Sequence, residues 1–225
     1  MPYYLDFTKL KLDFLEKRLS EEDLIPSQLP LREGLTEKLE LLDSVGIRTL
    51  SDLNEAIQKD TSRNALSGGI GMSTEYLKLL ARVLRAYTPK ATKLATYPNT
   101  DVQVISKLAQ QGIKDSYTLW TAASGSMNRT RLAADTDIPL EKLSTMVCLS
   151  DLSRIQWVSP LFARLIFDAG FKTVADVACA QAQELMTKIS IINQKEKLFN
   201  GKIGERDMGR LVYLASLLPH ELEMS

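Results

Sequence analysis

The residues best suited to chemistry stand at one turn and along the helix after it. Gly69-Ile70-Gly71 is followed by Ser73-Thr74, and then by Lys78, Arg82 and Arg85. Two glycines let a backbone come close to a ligand, and a helix N-terminus offers free N–H groups and the positive end of its dipole. Spacings of four and then three put the cations on one helix face, with Leu77, Leu80, Ala81 and Leu84 on the other. The chemistry this allows is electrostatic: one phosphate at the turn and others along the cationic face, as a nucleic-acid backbone supplies them. A weaker copy is Gly201-Lys202-Ile203-Gly204 with Arg206 and Arg210, diluted by Glu205 and Asp207. For both, the simpler alternative is a tight turn and a solvated polar stripe, which any amphipathic surface helix carries. A third candidate is Arg154 with Trp157, residue types that dominate protein-binding hot spots. The alternative there is a Trp covering core and an Arg bonding a helix C-terminal carbonyl.

Covalent and metal chemistry finds little to use. The single histidine, His220, lies in a tail expected to fray after Pro219, and a general base must be held in place. Cys148 and Cys179 sit in apolar helical contexts without metal-ligand spacing and are expected as two buried free thiols in a reducing compartment. The Gly-rich stretch lacks the Lys-Ser/Thr of a nucleotide P-loop. The expectation is a non-enzymatic protein with no cofactor and no metal. The start lacks a signal-peptide pattern and no run reaches the ~18 apolar residues of a membrane span, so a cytoplasmic protein is expected.

The positioning elements read as all-α. With 225 residues and zero formal net charge, the chain has ample length for a core and no global field toward nucleic acid. The charge is unevenly spread. Residues 1–60 carry 8 Lys/Arg against 13 Asp/Glu, and residues 61–210 carry 20 against 13. The later part thus has room for a mild basic face.

Three stretches align on a glycine: LELLDSVGIRTLSDL at Gly46, ISKLAQQGIKDSYTL at Gly112 and ARLIFDAGFKTVADV at Gly170. Apolar residues stand seven and four positions before each glycine, directly after it, and six positions further on. In the third stretch Ser159-Pro160 opens the helix, Gly170 ends it, and Thr173 starts the next. A second set aligns Gly69-Ile70-Gly71, Asp137-Ile138-Pro139 and Lys202-Ile203-Gly204, each before a final helix. The expected organisation is an N-terminal helical extension (1–30), whose helix covers 4–19 and whose Ser20-Glu21-Glu22-Asp23 forms a capping box. Three modules follow at 31–88, 97–152 and 150–218, the last two sharing a helix near Leu140–Ile155.

This pattern resembles the helix-hairpin-helix repeats of the SAM-like α-helical family. LSRIQWVSPLFARLIFDAGFKTVADVA with NGKIGERDMGRLVYLA is similar, more narrowly, to an uncharacterised bacterial family of such repeats, a domain of unknown function. The resemblance implies tandem modules and, from the wider family's habits, DNA binding without sequence preference through backbone N–H groups of a Gly-apolar-Gly hairpin. At the first hairpin of each module the sequence departs from that pattern, reading Glu33-Gly34-Leu35, Asn99-Thr100-Asp101 and Trp157-Val158-Ser159. Glu33 and Asp101 repel a phosphate and Trp157 fills the space it needs, so these three are expected to be structural. Two functions stay open: a double-stranded DNA or other nucleic-acid backbone binder using the Gly69–Gly71 turn, or a protein-interaction or oligomerisation module that has lost phosphate binding.

Overall fold

The structure, a computed structural model, describes residues 3–220, 222 and 223. Among them it is all-helical, and the chain divides into two compact units, residues 5–88 and residues 89–225 with the first four. The smaller unit holds α1 (Leu12–Glu21), a 3-10 helix (Pro26–Arg32), α2 (Leu35–Ser44), α3 (Leu50–Gln58), α4 (Asp60–Ile70) and α5 (Thr74–Ala86). The larger holds a 3-10 turn at Leu94–Thr96, then α6 (Val102–Gln110), α7 (Ser116–Ala123), α8 (Ser126–Thr136) and α9 (Leu140–Leu152). It continues with α10 (Pro160–Asp168), α11 (Val174–Ala178), α12 (Ala182–Glu196) and α13 (Glu205–Ser216). No helix among the described residues is long and apolar enough to cross a membrane.

Three turns, α2–α3, α6–α7 and α10–α11, are built alike. Gly46, Gly112 and Gly170 take φ of +87°, +77° and +97°, and the amide after each returns five residues, to Leu42 O, Leu108 O and Ile166 O. That is the 6→1 bond of a Schellman stop, which needs a residue at home at positive φ. Two residues later a capping box starts the next helix: Thr49 with Asp52, Asp115 with Thr118, Thr173 with Asp176.

The first amide of that next helix is satisfied in two ways. Leu50 donates to Leu10 O at 2.8 Å and Ser116 to Thr92 O at 2.8 Å, both carbonyls of a passing extended segment. Val174 donates instead to Asp151 Oδ2, a buried carboxylate, at 2.7 Å. The same carboxylate accepts from Arg154 Nη1 at 2.5 Å and, more weakly, from Trp120 Nε1 at 3.3 Å. Arg154, 1% exposed, spends its other donors on Tyr3 O and Pro219 O, each at 2.9 Å, and lies over the Trp120 ring. Around this cluster α9 is buried on every face from Met146 to Leu152, as a central helix must be.

Several expectations need correction. The first helix starts at Leu12 rather than near residue 4, because residues 10–12 are drawn out to bridge Thr49. Ser20 lies inside α1 and donates to Glu16 O instead of opening a capping box. The tail is bonded at two described points: Pro219 O takes the Arg154 bond, and Glu223 Oε2 accepts from Ser126 N at 2.8 Å, capping α8; residues 221, 224 and 225 lie outside the described residues. Cys148 is buried, its thiol pushed up to about 12 by desolvation, but Cys179 is exposed at the end of α11.

Asp151→Ala leaves the Arg154 guanidinium buried without its counter-charge and should cost ~3–5 kcal/mol in urea unfolding; a loss within that of a surface substitution would show that the cluster does not hold the unit. Stability should also fall in acid. Asp52 is held below the ordinary carboxylate range by the Thr49 amide, its hydroxyl and the Arg48 amide, and Asp101 by Lys142 and the Gln103 amide. Depressed carboxylates contribute above their unfolded pKa of ~3.9 and lose that contribution as pH drops through the lower folded value. The melting temperature should therefore hold from neutrality to about pH 5 and fall below about pH 4, less steeply in Asp52→Asn.

Candidate functional sites

At the α4–α5 turn the glycine pair does not act as a pair. α4 runs through Gly68 and Gly69, both exposed, and ends at Ile70. Gly71 alone takes the left-handed conformation, at φ +69°. Met72 is the buried plug and Ser73 the N-cap of α5, accepting from Tyr76 N at 3.2 Å. The corresponding turn, α8–α9, places Asp137 at φ +50° and buries Ile138. The expected register, which matched Ile70 to Ile138, is thus two residues off. The left-handed residue must directly follow the helix, and that residue is Gly71.

The two turns differ in their amides. Asp137 N and Ile138 N bond back to α8, at Ala134 O and Ala133 O. The amides of Gly71, Met72 and Ser73 make no close backbone hydrogen bond of that kind. Successive free N–H groups at a right- to left-handed junction form an anion-binding concavity. Beyond it Lys78, Arg82 and Arg85 are exposed along one face of α5, with no ion-pair partner among the described residues. Elsewhere in this unit Lys9, Arg18, Arg48 and Arg63 each have a carboxylate. Glu75, exposed in the first turn, is the one acid of α5.

The second candidate set divides. Gly204 is the N-cap of α13, at φ −112° and without a side-chain cap, rather than a hairpin glycine. The left-handed residue here is Lys197, directly after α12, and the loop 198–203 separates it from α13. Arg210 bonds Asp207 at 3.1 Å, and Arg206 is exposed on α13. Lys202 is exposed with no ion-pair partner among the described residues and reaches a cleft of about 260 Å³. Trp157 lines the same cleft, so the structure brings together two residues the sequence placed in separate candidates.

Arg154, expected beside Trp157 as a protein contact, is instead sealed in the Asp151 cluster and faces no surface. Trp157 is 52% exposed, so it covers the core only in part. It stands at φ +70°, a conformation costing an L-residue roughly 1–2 kcal/mol. Phe162, Met208 and Leu211 form much of the apolar lining. Phe199 meets Phe162 edge-on at 5.4 Å and lies against Gly201, where a Cβ would collide with its ring. Asn193 fixes the Phe199 backbone from both sides, donating to its carbonyl at 2.8 Å and accepting from its amide at 2.9 Å. Ser159 at the cleft edge caps α10 through Phe162 N, and Asp207 stands at the rim. Sequence reasoning missed Phe162, Phe199, Asn193 and Asp207 as a group. Only the apolar pair Leu198-Phe199 within a polar loop hinted at it.

No group of His, Cys, Asp or Glu among the described residues is placed to hold a metal ion. A family model described as a domain of unknown function, DUF4332, matches residues 98–217. That span contains the whole Trp157 cleft and the Asp151–Arg154 pair. No curated protein and no solved structure matches the chain.

Alanine separates the roles of the turn glycines. Gly69 is helical with open space around its Cβ position, so Gly69→Ala should stabilise by ~0.5–1 kcal/mol. Gly71→Ala, strained at positive φ, should destabilise by ~1–2 kcal/mol. Thermal melts of the two variants check this; equal effects of one sign would contradict the assignment of Gly71 as the sole left-handed residue.

Proposed function

We propose that this chain, which belongs to the DUF4332 family of domains of unknown function, is a non-catalytic nucleic-acid backbone binder. It contacts phosphates through the α4–α5 turn and the cationic face of α5. In this reading the three glycine-centred turns mark tandem helix-hairpin-helix-like modules of the SAM-like kind, and the α4–α5 hairpin of the first module is the one that meets nucleic acid. The observation that supports it is the pairing of a turn whose amides, at Gly71, Met72 and Ser73, make no close backbone hydrogen bond with three cations that have no ion-pair partner among the described residues.

Each part has a distinct role. The amide concavity takes one phosphate oxygen by hydrogen bonds, and the dipole of α5, a helix of 13 residues, adds positive potential there. Lys78, Arg82 and Arg85 are ~4.5–6 Å apart in rise along the helix and meet further phosphates as point charges. None of these groups reads a base edge, so binding is independent of sequence. Glu75 opposes the phosphate and sets the affinity low.

Fluorescence anisotropy with labelled double-stranded DNA at two salt concentrations tests this. Wild type should bind at low salt with a log–log salt slope near −2 to −3, as about three neutralised phosphates require. Lys78→Glu/Arg82→Glu should abolish binding, and Glu75→Gln should tighten it severalfold. Absence of binding at low salt, or binding indifferent to the double variant, would overturn the proposal in favour of a protein-interaction module.

A further inference from the structure

The turns that lead into α2, α6 and α10 each contain one residue in the left-handed region: Gly34 at φ +57°, Asn99 at +56° and Trp157 at +70°. Glycine and asparagine are the residues such a position favours, and tryptophan is among the least suited. Trp157 is only half covered by the fold, whereas Trp120, the other tryptophan, is fully buried. A bulky ring held at a strained backbone and left at the surface indicates a role for the ring outside the core.

Its surroundings say which role. The ring borders the cleft of about 260 Å³, just under the ~300–1,000 Å³ of sites for drug-sized ligands and suited to a single planar ring system. Phe199 and Phe162 supply further aromatic surface, and the two-sided Asn193 clamp fixes the loop that carries Phe199. At the rim stands Lys202, exposed and with no ion-pair partner among the described residues, beside the N-terminus of α13, which has no side-chain cap among them. Glu205 and Asp207 also lie in the first turn of α13, and Asp207 is engaged by Arg210. Aromatic faces beside a free cation are the two elements that single-stranded nucleic acid uses, one for the base and one for its phosphate. A purely apolar anchor from a protein would use the aromatic wall but leave Lys202 without a role.

We infer that the Trp157 cleft is a binding site for one unpaired nucleobase of a single strand, which stacks on Trp157 with its phosphate at Lys202. The site lies wholly within residues 156–211 and uses none of the α5 residues, so it stands or falls independently of duplex binding through α5.

The test is intrinsic fluorescence, because Trp157 is the one exposed tryptophan of two and Trp120 gives a constant background. Titrating the full chain with a short oligothymidylate at low salt should quench Trp157 emission saturably. Trp157→Asn installs the residue that the second turn uses at Asn99, so it should keep the melting temperature while removing the quench. Its affinity, read by anisotropy of a labelled oligothymidylate, should fall about tenfold or more, as loss of one stacked base requires. Trp157→Phe should restore part of that loss, and Lys202→Glu should weaken binding with the ring intact. The quench should persist in Lys78→Glu/Arg82→Glu. No quench at low salt, or undiminished affinity in a folded Trp157→Asn protein, would overturn the inference and leave the cleft to an apolar side chain of a protein partner.

Discussion

The larger unit depends on one buried carboxylate. Asp151 stands where the other two glycine-centred turns use a carbonyl from a passing chain segment. A carbonyl is neutral and comes with a backbone that is itself satisfied. A carboxylate brings a charge into the core, and that charge needs a partner at close range. Arg154, one helical turn on, is that partner, and its remaining donors must then find acceptors too. They find Tyr3 O and Pro219 O, so a substitution of side chain for backbone at one turn ends by fixing two distant stretches of chain. The order of causes runs from the missing segment to the acid, from the acid to the arginine, and from the arginine to the chain ends.

A second constraint runs through the whole molecule: a short helix that turns back sharply needs one residue at positive φ. Glycine fills that need where nothing else is asked of the position, as at Gly46, Gly112 and Gly170. The informative places are those where another residue type fills it. Asp137 accepts the strain of φ +50° and pairs with Lys107 at 3.0 Å. Asn99, two residues before the Asp101 that caps α6 and bonds Lys142, is a residue type at home in the left-handed region. Trp157 has no such account inside the fold.

Much of this architecture could be read from the sequence, and the reason is local. A Schellman glycine followed by an apolar residue and a Thr or Asp cap is specified by about ten contiguous residues, so Gly46, Gly112 and Gly170 were legible, as was Ser159-Pro160 at the start of α10. Long-range partners were not. Arg154 reads as a surface residue because its three acceptors lie 3, 65 and 151 positions away, and only the nearest falls within a helical repeat. The true start of the first helix is illegible for the same reason: nothing in residues 4–11 announces that Lys11 will bridge Thr49. At the sites, residue types were legible but their grouping was not. Trp157 and Lys202 are 45 positions apart, and only folding makes them neighbours.

The Gly69–Gly71 stretch shows how a motif can mislead in detail. The pattern Gly-apolar-Gly suggests two glycines flanking one apolar plug. The chain instead keeps Gly69 in the helix, turns at Gly71 and buries Met72, which shifts the plug by two residues. The shift changes the electrostatics. Had the turn closed as at Asp137, its amides would have bonded back to the preceding helix and left only a helix N-terminus for an anion. Because α4 ends without a close back-bond of that kind, three consecutive amides are held less firmly by the helix before them. Gly71 and Ser73 are exposed, so water or an anion can reach their amides, whereas Met72 is buried. What distinguishes this turn is therefore the lack of a close back-bond rather than the number of its glycines, and that is a property of the hydrogen-bond pattern, which sequence alone does not display.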